Sequence, residues 1–229
     1  MDSISIIRTP IESELEAFKE LYDSSLSSSN TLLDSVVAHI RQRSGKMMRP
    51  ILVLLVARLY GVVSPATLHA AVSLELLHNA SLVHDDVVDE STERRGQLSV
   101  NAIFNNKVAV LTGDYLLATS LVHAELTNSH QIIRLVSSLG QDLADGELLQ
   151  LSNVSNHSFS ETVYFDVIRK KTAALFAACT EAAAYSVGVS EEEVKLARLL
   201  GEYIGICFQI KDDIFDYFDS KEIGKPTGN

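Results

Sequence analysis

Residues 173–184 read Ala173-Ala174-Leu175-Phe176-Ala177-Ala178-Cys179-Thr180-Glu181-Ala182-Ala183-Ala184. Ala and Leu are strong helix formers, and neither Gly nor Pro interrupts them. A helix apolar around almost its whole circumference must be enclosed by others, so this segment predicts a central member of a large all-α bundle.

The flanking chain supports the same reading. The four prolines stand at 10, 50, 65 and 226, so residues 66–225 contain none and suit long helices. Thr9-Pro10-Ile11-Glu12 and Ser190-Glu191-Glu192-Glu193 match capping boxes, Ser64-Pro65 places a capping hydroxyl before a first-turn proline, and Gly61 and Gly188 mark stops. Helices are predicted over 10–28, 31–43, 48–60, 65–91, 106–127, 129–151, 160–187 and 191–219, with Ser24–Asn30 as a linker. No alternating segment argues for a sheet, and residues 1–229 read as a single domain.

Nineteen basic against thirty acidic residues give a net charge of −11, which removes the bulk basic surface that nucleic acid requires. The apolar run Ile51–Ala57 is far short of the ~20 residues needed to cross a bilayer. Cys179 and Cys207 lie in apolar helical patterns and read as reduced core thiols. With no apolar stretch of signal-peptide length near residue 1, the expected location is cytoplasmic.

Asp85-Asp86-Val87-Val88-Asp89 carries the sharpest chemical signal, because Asp85 and Asp89 are neighbours on one helix face. Two ionised carboxylates that close repel unless solvated, protonated or bridged by a cation, and an all-oxygen set suits Mg²⁺. Asp212-Asp213-Ile214-Phe215-Asp216 repeats the spacing late in another long helix. His78 and Gln209 lie seven residues before Asp85 and Asp216, on the same faces, although such a His also fits a satisfied core position. Basic residues gather at Arg41, Arg43, Lys46 and Arg49, at Arg94 and Arg95, and at Arg169, Lys170 and Lys171. Cations beside paired carboxylates suggest a metal-bridged diphosphate, with surface ion pairing as the alternative.

Taken together, Gly45-Lys46-Met47-Met48-Arg49-Pro50, the run from Leu76 to Glu90, Arg94-Arg95-Gly96, Gly113-Asp114-Tyr115, Lys171-Thr172, Phe208 to Asp216 and Gly224-Lys225-Pro226 resemble the trans-isoprenyl diphosphate synthases of the polyprenyl synthetase type, closest in kind to octaprenyl diphosphate synthases. The resemblance implies an isoprenoid synthase-type bundle of long antiparallel helices around a central cavity. It also implies head-to-tail condensation of isopentenyl diphosphate with an allylic diphosphate such as farnesyl or geranylgeranyl diphosphate, with three Mg²⁺ once substrate is bound. Asp85, Asp89, Asp212 and Asp216 would hold metal. Lys46, Arg49, His78 and Arg95 would bind isopentenyl diphosphate, and Arg94, Lys171, Thr172, Gln209 and Lys225 the allylic substrate. Asp85, Asp89, Arg94, Lys171 and Asp212 form the implied catalytic set.

In this family the growing tail runs down the bundle from the first acidic motif. Ala80 and Ser81, five and four residues upstream, are small, which implies a product longer than the geranylgeranyl class, with Leu77 and Leu74 as candidates for the floor. Gly201 and Gly205 would leave volume for the tail or permit close helix packing. Quinone side chains are the expected use, and a homodimer the expected assembly. Relatives generally continue beyond the Gly-Lys-Pro segment, so C-terminal helices typical of the family are absent from this sequence. Competing readings are a short-chain synthase, a class I terpene cyclase, a di-iron bundle suggested by Glu75-Leu76-Leu77-His78, and a non-catalytic subunit of a heteromeric synthase.

Overall fold

Ser64 accepts a hydrogen bond from the Thr67 amide (3.3 Å) while Thr67 Oγ1 accepts from the Ser64 amide (3.1 Å), a reciprocal cap with Pro65 in the first turn. From that cap α5 (Pro65–Val88) runs as the axis of the computed structural model, which describes residues 3–42, 47–94, 96–155 and 160–217. Before it come α1 (Ser3–Arg8), a 3₁₀ turn (Thr9–Ile11), α2 (Glu12–Ser25), α3 (Thr31–Gln42) and α4 (Met48–Tyr60). After it come strands β1 (Glu93–Arg94) and β2 (Gln97–Leu98), α6 (Val100–Phe104), α7 (Asn106–Leu126), α8 (His130–Ser155), α9 (Glu161–Ile168), a π-helical turn (Arg169–Ala173), α10 (Ala174–Val187) and α11 (Glu191–Tyr217).

Helix α5 packs on α2, α4, α7 and α10, and α10 packs on α4, α5, α8 and α11. Every residue of α10 from Leu175 to Ala184 is buried, Thr180 and Glu181 included, as its all-round apolar sequence requires. One continuous core joins Phe18, Leu54, Leu74, Leu76, Leu116 and Ile132 from five helices. Among the described residues no helix is long and apolar enough to cross a membrane.

Gly201 and Gly205 resolve in favour of helix packing. A Cβ at Gly201 would lie 2.3 Å from Thr180 Oγ1 and 2.5 Å from the Phe176 carbonyl oxygen, and one at Gly205 would lie 2.5 Å from Ala173 Cα. These glycines let the backbones of α10 and α11 meet and hold no room for a tail. Gly201→Ala must therefore push the two helices apart, at a cost of about 2–3 kcal/mol read as a lowered midpoint in urea unfolding.

Four local expectations are corrected. Thr9 does not cap a helix: α1 runs directly into the 3₁₀ turn, and Thr9 Oγ1 donates to the Ser5 carbonyl. Residues 160–187 do not form one uninterrupted α-helix, since the π turn interrupts it. A two-residue antiparallel ladder, Glu93 opposite Leu98 and Arg94 opposite Gln97, stands where no strand was expected, because two residues are too few to show alternation. Cys207 is exposed on α11, whereas Cys179 is buried. The Ser190–Glu193 capping box forms as expected, and Gly188 ends α10 at φ +72°.

Far from the acidic motifs, the His69 and His123 Nδ1 atoms lie 3.0 Å apart between α5 and α7. One ring donates and the other accepts, so they cannot both be protonated. Burial, then the charge of His69, pushes His123 down to about 4. A lowered histidine leaves stability intact above about pH 6.5 and erodes it as the pH falls toward 4, where the unfolded chain takes up a proton that the fold refuses. The loss of stability between pH 6.5 and 4.5 should be smaller in His123→Gln than in wild type, by about 2 kcal/mol in chemical denaturation.

Candidate active site

The C-terminal turn of α5 places the three carboxylates of its acidic motif in different surroundings. Asp86 is 1% exposed and accepts from Arg94 Nε at 2.5 Å. Its carbonyl oxygen accepts from the Ser91 amide and Asn101 Nδ2, so the loop that carries the β1–β2 hairpin is tied to this one residue. Asp89 caps the helix and is exposed, with its amide donating to the Asp85 carbonyl (2.8 Å). Asp85 is half-buried. Burial first, and then the charge of Glu147, pushes its carboxyl up to about 6 against the pull of Lys171 and Arg94. An approaching cation would relieve that raised carboxyl.

Helix α8 supplies the next layer. Lys171 Nζ lies 2.7 Å from Glu147 Oε2 and donates to Gln150 Oε1 at 3.0 Å, so two residues one turn apart on α8 seat the ammonium whose charge acts on Asp85. Gly146 makes this approach possible, because a Cβ there would sit 3.0 Å from Lys170 Cβ and 3.2 Å from the Lys171 amide nitrogen. The π turn, a feature frequent at functional sites, carries Lys171 and Thr172 into the cluster.

Thr172 joins the second acidic motif. Its hydroxyl donates to Gln209 Oε1 (2.7 Å), Gln209 Nε2 donates to Asp213 Oδ1 (2.7 Å), and the Tyr164 hydroxyl donates to Asp213 Oδ2 (2.5 Å). The π turn therefore meets the first acidic helix end through the charge of Lys171 and the second through the hydrogen bond of Thr172, and Asp212 is half-buried. The backbone of Asp216 lies in the last turn of α11, and its side chain lies outside the described residues, as do Lys46, Arg95 and Lys225.

Deeper in the bundle, the Arg49 guanidinium sits 5.3 Å from the centroid of the Phe176 ring, which in turn lies 5.3 Å from Phe208. Burial pushes the Cys179 thiol up to about 12 despite the pull of Arg49. His78 is 8% exposed, and its carbonyl oxygen accepts from the Ser81 hydroxyl. Ala80 and Leu77 are buried in the core, while Ser81 is half-buried.

Several expected cations are committed elsewhere. Arg41 pairs with Asp23, Arg169 with Glu202 and Asp166, and Lys170 with Asp145, which is the surface ion pairing held as the alternative. Sequence reading missed Asp86 as a buried anchor, Glu147 and Gln150 as the seat of Lys171, and Tyr164. It also left Gly113 unexplained: a Cβ there would meet the His84 ring at 2.2 Å, and His84 lies 3.4 Å from Asp114.

Oxygen donors dominate the cluster, a set that suits Mg²⁺. Among the described side chains no three acidic, His or Cys groups converge to hold an ion, so phosphate oxygens would have to complete its shell.

The polyprenyl synthetase family profile matches residues 30–229. Heptaprenyl diphosphate synthase component 2 of Geobacillus stearothermophilus is 38% identical over 223 residues, covering 96% of this chain and 69% of that protein. A crystal structure of geranylgeranyl pyrophosphate synthase from Bacteroides thetaiotaomicron is 76% identical with a TM-score of 0.85, covering 100% of this chain and 69% of its own. A polyprenyl synthase from Caulobacter crescentus, complexed with calcium and isoprenyl diphosphate, is 32% identical with a TM-score of 0.91, covering 96% of this chain and 67% of its own. The chain thus spans about two thirds of the length of these proteins.

Proposed function

The chain belongs to the polyprenyl synthetase family of prenyltransferase enzymes, and from that premise we propose that it condenses isopentenyl diphosphate with an allylic diphosphate, head to tail, in a Mg²⁺-dependent reaction. The observation that carries this reading is the cluster in which Lys171, seated on Glu147 and Gln150, acts electrostatically on Asp85 while the adjoining Thr172 donates to Gln209 of the second acidic helix end.

In the proposed site Asp85, Asp89, Asp212 and Asp216 would hold Mg²⁺, which when bound would neutralise charge on the allylic diphosphate. Lys171, Arg94 and Lys225 would donate to the same diphosphate, with Thr172 and Gln209 as further contacts to the allylic substrate. Lys46, Arg49, His78 and Arg95 bind isopentenyl diphosphate. The allylic carbon–oxygen bond breaks with its electron pair leaving on the diphosphate, whose growing negative charge the cationic side chains stabilise. The alkene of isopentenyl diphosphate supplies the pair for the new carbon–carbon bond, and a proton passes to the released diphosphate. Phe176 is buried and would supply apolar, water-poor surroundings for a carbocation, while Phe208 beside it is exposed. No protein nucleophile is required.

Small side chains at Ala80 and Ser81 favour a product longer than geranylgeranyl diphosphate, suited to quinone side chains, and the heptaprenyl relative supports that length. A geranylgeranyl product is the second reading, favoured by the 76% identical Bacteroides thetaiotaomicron structure. Ala80→Phe should shorten the principal product by at least one five-carbon unit, read by chromatography of the dephosphorylated alcohols. An unchanged length would show that the tail does not pass Ala80. A cytoplasmic homodimer is the proposed state. The Geobacillus component favours a heteromer as the alternative, to be decided by whether the chain turns over alone.

A further inference from the structure

Of the three carboxylates in the second acidic motif, Asp213 is turned toward protein on both sides: Oδ2 accepts from Tyr164 on α9, and Oδ1 accepts from Gln209 one turn earlier on α11. Gln209 uses its other end to accept from Thr172 in the π turn. Four side chains from three segments thus form one directional series, Tyr164 to Asp213, and Thr172 and Asp213 joined through the Gln209 amide. The first motif uses its own middle carboxylate in a comparable way, since Asp86 is buried against Arg94. In each motif the middle aspartate anchors the helix end to a separate segment.

We propose that Tyr164 is a positioning residue which, by holding Asp213, fixes the Gln209 amide and thereby the presentation of Thr172 and Asp212 to a metal-bound diphosphate. Without the phenol hydroxyl, Asp213 Oδ2 loses the donor supplied by α9, the carboxylate is free to rotate, and the Gln209 amide loses its fixed orientation. The ring itself packs edge-on against Phe165 at 5.5 Å, so Tyr164→Phe keeps the apolar contact and removes only the hydrogen bond. The inference rests on the proposed function, because it needs the second motif to meet a diphosphate.

Calorimetric titration of the full chain with inorganic diphosphate in the presence of Mg²⁺ tests it without turnover. Wild type should bind, and Tyr164→Phe should bind about tenfold to a hundredfold more weakly, the size expected for a lost hydrogen bond to a charged group. Asp213→Ala should weaken binding to a similar degree, and the double variant no further than the weaker single variant, because both remove the same link. Both single variants should melt within about 3 °C of wild type. Where turnover is measured, the KM for the allylic diphosphate should rise while that for isopentenyl diphosphate stays unchanged. Wild-type affinity in Tyr164→Phe, multiplicative effects in the double variant, or a fall in melting temperature with unchanged affinity would overturn the positioning role alone. Failure of wild type to bind Mg²⁺-diphosphate would overturn the proposed function and this inference with it.

Discussion

Asp85→Asn should melt higher than wild type at pH 7.5 in the absence of ligand, and should lose at least a thousandfold in turnover. Burial and the neighbouring charge of Glu147 push the Asp85 carboxyl up to about 6, so above that pH the fold carries an ionised group that it disfavours. A carboxyl whose folded value is raised weakens the fold as the pH climbs from about 4 through 6. The amide removes that penalty, with an expected gain of about 1–2 kcal/mol after allowance for partial solvent screening, and the gain should vanish below pH 4. Differential scanning fluorimetry across pH measures the first part. Addition of Mg²⁺ and diphosphate should raise the melting temperature of wild type and leave the variant unmoved. A variant that melts lower than wild type without ligand would show that Asp85 is a structural partner.

Arg94→Ala should be among the most destabilising single changes outside the apolar core. Asp86 is 1% exposed, and its Oδ1 relies on Arg94 Nε, while Oδ2 is buried with no hydrogen bond among the described residues. Removing the guanidinium strands a buried carboxylate, a change that typically costs about 3–5 kcal/mol. Asp86→Asn, which removes the charge and keeps the shape, should cost about half as much. Urea unfolding separates the two, and a loss for Arg94→Ala within about 0.5 kcal/mol of wild type would contradict the anchoring role.

The fold was open to sequence reading wherever a helix announces itself locally. Ser64-Pro65, Ser190 with Glu193, and Gly188 set their helix ends as their side chains dictate, and the all-round apolar run at 173–184 is the buried α10. What escaped was decided by partners remote in sequence. Thr9 resembles a cap until α1 is seen to continue into it. The π turn at 169–173 has no local signature and coincides with contacts to Glu147 and Gln209, which lie on other helices. Cys207 follows the apolar pattern of α11 yet sits on that helix's open face.

The site divides similarly. Paired aspartates at four-residue spacing are legible because the chemistry repeats along one helix, and Lys171 and Gln209 follow from the motifs around them. Asp86 and Asp213 were not singled out, because spacing alone does not say which member of an Asp-Asp-x-x-Asp turns inward. Glu147 and Tyr164 belong to helices whose relevance depends on how α8 and α9 pack against the π turn. Gly113, quoted within its motif without a reason, has one once the His84 ring is placed against it.

The central claim is that the two acidic helix ends serve prenyl transfer. Its most direct measurement is incubation of the purified chain with labelled isopentenyl diphosphate, farnesyl diphosphate and Mg²⁺, beside an EDTA control, with the extracted products resolved by chain length. Elongated prenyl diphosphates that form with Mg²⁺ and vanish with EDTA, and that are absent with Asp85→Asn, are the predicted result. Wild-type chain that binds Mg²⁺-diphosphate yet leaves the labelled substrate unconverted, alone and mixed with a relative's partner component, would contradict it.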